Sequence, residues 1–87
     1  MPFNMGAFLH EQRKKAELSQ AELAERLGYS RSQFISSWER GASLPPPSAI
    51  KALAEEFKMD EAYLRRQVAD FAIQAHTEAI LKRYGIH

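Results

Sequence analysis

Glycine and proline set the limits on what this chain can fold into. Gly28, Gly41 and the run Pro45-Pro46-Pro47 cut its middle into short pieces, whereas neither residue type occurs between Asp60 and Tyr84. β-branched residues are scarce and no two-residue alternation persists, so the pieces read as helices, not strands. Asn4 can cap a first helix of about residues 5–16, with Met5, Phe8, Leu9 and Ala16 on one side. Arg13, Lys14 and Lys15 fall near its end, where positive charge suits the helix dipole. Ser19-Gln20-Ala21-Glu22 is a capping box: the Ser19 hydroxyl accepts from the Glu22 N–H, and the Glu22 carboxylate accepts from the Ser19 N–H. Leu23, Ala24 and Leu27 form the apolar stripe of a two-turn helix that Gly28 ends in a left-handed conformation. A third helix starts near Ser30 to Ser32 and runs to about Arg40. The loop Ala42-Ser43-Leu44-Pro45-Pro46-Pro47 cannot be helical, because each proline pushes its predecessor to extended geometry. Pro46 or Pro47 then suits the first turn of a fourth helix, whose face is Ile50, Leu53, Ala54 and Phe57. Asp60 caps a fifth. The fold class is all-α with five helices.

Eighty-seven residues make one domain at most, and a chain this short buries only about 60–65% of its unfolded surface. The 45% hydrophobic and 26% charged content is that of an ordinary globular protein. No apolar run is long enough to span a bilayer, and the N-terminal charges follow the apolar part, the reverse of a secretory signal. With no cysteine, disulfides and thiolate metal sites are excluded, and the composition fits a reducing, cytoplasmic setting. His10, His76 and His87 are scattered without metal-ligand spacing. Glu55 and Glu56 point ~100° apart on a helix, unlike a converging acid–base pair. Neither an enzyme nor a metal, cofactor or small-molecule site is expected. Net charge is +1, so any nucleic-acid binding must place positive charge locally. From Leu27 to Trp38 the only charged residue is Arg31.

A short capped helix, a glycine turn and a second short helix make a helix-turn-helix. Its helices cross closely where Ala24 offers a small side chain, four residues before Gly28. Ile35 and Trp38, at i and i+3, can anchor the second helix. The ordered set LSQAELAERLG, WERG, the proline after that glycine, and IKALAEEF resembles the Cro/repressor-type, or XRE-like, helix-turn-helix family over about residues 6–64. The resemblance implies a five-helix lambda-repressor-like domain that binds double-stranded DNA, usually as a dimer on a two-fold-related site. Carried across, Gln20 matches a phosphate contact, Arg40 lies where the chain passes the DNA backbone, and Arg13 and Glu39 match a buried ion pair. Two solvated surface charges are the alternative for that pair. The family pattern has one residue fewer between the turn glycine and Trp-Glu. Counting forward from Gly28 makes Phe34 the anchor; counting back from Glu39 makes it Ile35. The longer turn is preferred, since Gly-Tyr-Ser-Arg tolerates the extra residue.

Either register leaves Gln33, Ser36 and Arg40 outward, with Ser37 nearer the boundary and Ser32 on the flank. Gln33 suits adenine, and Arg31 suits guanine if it points into the groove. Ser30, Ser32, Ser36 and Ser37 suit phosphate or water-mediated contacts. Residues 1–64 are thus read as the DNA-binding domain, with its helix-turn-helix at about 20–40. Residues 60–84 are read as a long helix packed on the same domain, about 36 Å if continuous. One stripe of that helix holds Leu64, Val68, Phe71 and Ala75, broken by Glu78 and Lys82; a second holds Ala69, Ile73, Ile80 and Tyr84. Two stripes imply two burial partners, the domain's own core and a second subunit. Val68, Phe71, Ile73, Ala75 and Ile80 are the dimerisation candidates, the alternative being a helix folded wholly onto its own domain. The function expected is a transcriptional regulator, a repressor acting as a dimer on an inverted repeat. Near-neutral charge and a serine-rich face favour a rival, a protein-interaction module on the same scaffold. An antitoxin-type regulator would use it too, although no disordered toxin-binding tail is evident.

Overall fold

The computed structural model describes residues 4–86, so His87 and residues 1–3 lie outside the described residues. Five helices follow one another: α1 (Met5–Lys15), α2 (Gln20–Arg26), α3 (Gln33–Glu39), α4 (Pro47–Glu56) and α5 (Glu61–Arg83). No strand occurs among the described residues, and none of the helices is long and apolar enough to cross a membrane.

Each start except one is built by a local device. Asn4 Oδ1 accepts from the Ala7 N–H at 3.0 Å, and Asp60 Oδ2 accepts from the Tyr63 N–H at 2.9 Å. The capping box is complete, with 2.9 Å from Ser19 N to Glu22 Oε1 and 3.0 Å from Glu22 N to Ser19 Oγ. Pro47 occupies the first position of α4, after an extended Pro46. α3 is the exception. Ser32 precedes it in a helical conformation and makes no side-chain cap, so this seven-residue helix depends on its packing for stability.

All five helices stop in the same way. The residue after each C-cap is left-handed, and the next N–H donates back to a carbonyl five residues earlier: Leu18 to Arg13, Tyr29 to Ala24, Ala42 to Ser37, Met59 to Ala54, and Ile86 to Leu81. At α2 and α3 the left-handed residue is glycine, as the sequence implies. At α1 and α4 it is Glu17 (φ 59°) and Lys58 (φ 54°), two stops that no glycine announces.

The core gathers Met5 and Leu9 of α1, Leu23 and Ala24 of α2, Ile35 and Trp38 of α3, the Ile50–Leu53–Ala54–Phe57 face of α4, and Leu64 and Val68 of α5. α3 packs on α1 and α2, whereas α5 packs on α4. α5 is buried only near its start. Phe71 and Ala72 are half-buried, and every residue from Ile73 to Arg83 is exposed. The molecule is accordingly 42 Å long and about 25 Å across. Val68, a dimerisation candidate by its place in the stripe, is 9% exposed and belongs to the domain's own core. Phe71 also packs against that core. Val68 and Phe71 share a heptad stripe with Ala75, but the core ends one turn before Ala75.

Gly6 is what lets α1 lie against α3. A Cβ there would sit 2.3 Å from the Glu39 carbonyl oxygen and 3.0 Å from its carbon, so the two backbones touch where a side chain has no room. Gly6→Ala is expected to lower stability in urea denaturation by about 1–3 kcal/mol, even though alanine's helix propensity acts the other way by about 1 kcal/mol. Lys58→Gly is expected to have the opposite sign. It relieves a left-handed side chain and raises stability by a few tenths to about 1 kcal/mol.

Candidate nucleic-acid interface

The end of α3 is tied to α1 and α2 by one polar cluster. Arg13 Nε donates to Glu39 Oε2 at 2.7 Å, and Arg13 Nη2 donates to Glu39 Oε1 at 3.1 Å. Arg13 Nη1 takes the Leu18 carbonyl at 2.8 Å. Gln20 Nε2 donates to Glu39 Oε1 at 3.1 Å, and His10 Nδ1 lies 2.9 Å from the same oxygen and 3.1 Å from Arg13 Nη2. The tautomer of His10 decides whether it donates to the carboxylate or accepts from the guanidinium. The Arg13 and Glu39 side chains are 7% and 6% exposed, so the pair is buried and not solvated. No buried side-chain polar atom among the described residues lacks a partner.

Burial raises the carboxyl pKa of Glu39, but hydrogen bonds from Arg13, His10 and Gln20 outweigh it and hold the group below the ordinary 4.5. A folded-state pKa below the unfolded one contributes stability that is fully present above about 4.5 and lost as pH falls through the lower value. Glu22 is also depressed, chiefly by the Ser19 N–H, but it sits at the surface. Glu39→Gln is expected to reduce the acid-linked loss of stability, measured as Tm against pH from 7 to 3. Glu39→Ala, which strands Arg13, is expected to cost about 3–5 kcal/mol at neutral pH.

The turn resolves the two possible registers. Gly28 is left-handed at φ 88°, residues 28–32 form the turn, and α3 begins only at Gln33. Ile35 is 1% exposed and Phe34 49%. Ile35 is therefore the anchor, and the additional residue lengthens the turn. Tyr29 braces that turn. Its ring lies 5.1 Å from Phe34 and meets Trp38 edge-on at 5.9 Å.

On the side of α3 away from the core, Gln33 and Arg40 are exposed, and Ser36 is half-buried. Ser36 Oγ accepts from Arg40 Nε at 3.2 Å, which draws the guanidinium back along the helix. Ser37 Oγ pairs with Ser43 Oγ at 2.7 Å, so its hydroxyl is partly committed to the loop that follows. Ser30 and Arg31 are exposed in the turn, and Ser32 is half-buried at its end. Gln20 reaches Glu39 with one amide proton and has a second to offer. Its place in the cluster was not legible beforehand; nor was that of His10, since a single histidine carries no spacing signal. Between Glu25 and Glu55 the only acidic residue is Glu39, and that one is turned inward onto Arg13. The surface of the turn and α3 thus carries Arg31 and Arg40 without an acidic counterpart.

A capped helix, a braced turn and a second helix anchored by one face define a helix-turn-helix protein. The helix-turn-helix domain family matches residues 4–67, and the chain belongs to it, in the Cro/repressor-type form that its motifs resemble. Among solved structures, that of the P22 c2 repressor protein in complex with synthetic operator 9T in the presence of Tl+ is similar, with a TM-score of 0.64 and 32% identity. The likeness covers 72% of this chain and 94% of that one. No curated protein gives a match. The family is not one of enzymes.

Proposed function

We propose that this protein binds double-stranded DNA in a sequence-specific way and acts as a transcriptional repressor, as a homodimer on an inverted-repeat operator. The observation that carries the reading is the charge layout just described. A phosphate-lined groove meets Arg31 and Arg40 but no exposed acid along α3 and its turn. The solved P22 c2 relative is a repressor in complex with an operator, which supports the same use of the fold here. In this reading α3 lies in the major groove with Gln33 toward an adenine. Gln20 and Arg40 meet the backbone on either side, and Ser30, Ser32, Ser36 and Ser37 meet phosphate or water. Arg31, carried on the lengthened turn, reaches a guanine or the adjacent phosphate.

The dimer is supported by α5. Ile73 is 65% exposed and Ile80 40%, and Leu81 and Tyr84 are also exposed, on a segment that leaves its own core behind. Ile73 and Ile80 are two turns apart on one side, with Ala75 on another, and burying them against a second copy takes both exposed isoleucines out of water. A two-fold dimer of this kind favours half-sites about 34–36 Å apart.

Selection from random DNA tests the proposal. An enriched, symmetric motif bound at two chains per site supports it, and an unenriched pool or a one-sided motif counts against it. On the selected site, Gln33→Ala is expected to relax preference at one base position per half-site, discriminated by about 1–3 kcal/mol in the wild type. Arg40→Ala is expected to weaken all sequences alike and to lower the salt dependence of binding by about one counterion per monomer.

A further inference from the structure

We infer that Phe34 reads the 5-methyl group of a thymine, next to the adenine assigned to Gln33. The inference rests on the DNA-binding reading above and deepens it from a fold to a base composition. Among the described residues, every other large exposed apolar side chain lies on α5 or at its end. Phe34 alone sits in the helix-turn-helix, in the first turn of α3, with 49% of its surface open. It is not a displaced core residue, because Ile35 fills the core position beside it.

The ring is also held in place. It leans on Tyr29 at 5.1 Å, and Tyr29 is braced edge-on by the buried Trp38. An aromatic ladder therefore runs from the core to the surface and ends at Phe34. Along the helix, Phe34 precedes Ser37 by three residues and points ~100° from Gln33, so its open edge lies on the flank and borders the polar face proposed for the groove on the Ser37 side. A phenyl ring neither donates nor accepts a hydrogen bond. Among the groups that distinguish base edges in the major groove, the apolar one is the thymine methyl. Phe34 beside Gln33 thus selects an A·T-containing half-site, with apolar contact to one base and bidentate hydrogen bonding to its neighbour.

The test uses the whole chain and a DNA site obtained by selection. Each thymine is replaced singly by deoxyuridine, which removes the methyl and leaves base pairing intact, and the affinity of the wild type is measured. One thymine position per half-site is expected at which the replacement weakens binding about fourfold, the effect of one buried methyl. Phe34→Ala should bind the thymine and uracil versions of that site equally, whereas Phe34→Leu should keep part of the difference. Circular dichroism establishes that both variants are folded. The inference is overturned if the selected site lacks thymine, if no deoxyuridine replacement matters to the wild type, or if Phe34→Ala keeps the full difference. Those results leave DNA binding standing; an unenriched pool removes DNA binding and this contact together.

Discussion

The rest of this domain depends on one buried carboxylate. Glu39 collects the Arg13 guanidinium, the Gln20 amide and His10 on its two oxygens, and so joins the end of α3 to α1 and the start of α2. A charge that deep is tolerated only because its acceptor capacity is filled and its partner is equally enclosed. Gly6 works at the same place. Its missing side chain lets α1 meet the backbone of Glu39, so the carbonyl and the carboxylate of one residue both fix the relation of α3 to α1. α3 has no side-chain cap and only seven residues. Its orientation is a tertiary property, set from the inward side.

The same arrangement divides the charges. Glu39 is the only acid between Glu25 and Glu55, and turning it inward leaves the outer side of α3 and its turn with arginines alone. One ion pair thereby serves both stability and the sign of the surface. A net charge near zero conceals this, because the acids of the chain lie elsewhere: on α1 and α2, at the end of α4, and along α5, where Glu61 and Asp70 pair with Arg65 and Arg66.

Much of the fold was legible because its signals are local. Asn4, the Ser19–Glu22 box and Asp60 start helices through bonds within three residues, Pro47 starts one through its fixed φ, and Gly28 and Gly41 end them. The stops at Glu17 and Lys58 were less legible, since a left-handed non-glycine residue carries no mark in sequence. Register in α3 is a tertiary matter. Phe34 and Ile35 are both apolar, and only the length of the turn decides which one the core receives. Val68 shows the same limit at the other end: a heptad stripe gives a face but not where along the helix the core stops. The closeness of Gly6 to Glu39 spans 33 residues, and no local pattern encodes it.

On the proposed reading, the inward Glu39 holds α3 so that its outer side meets DNA. Amide chemical shifts of the labelled protein, followed while a selected DNA site is added, test this most directly. Shifts are expected at Gln20 and from Ser30 to Arg40, with the α4 amides from Lys51 to Glu56 unmoved. Shifts gathered on α4 while those of α3 stay in place would contradict it.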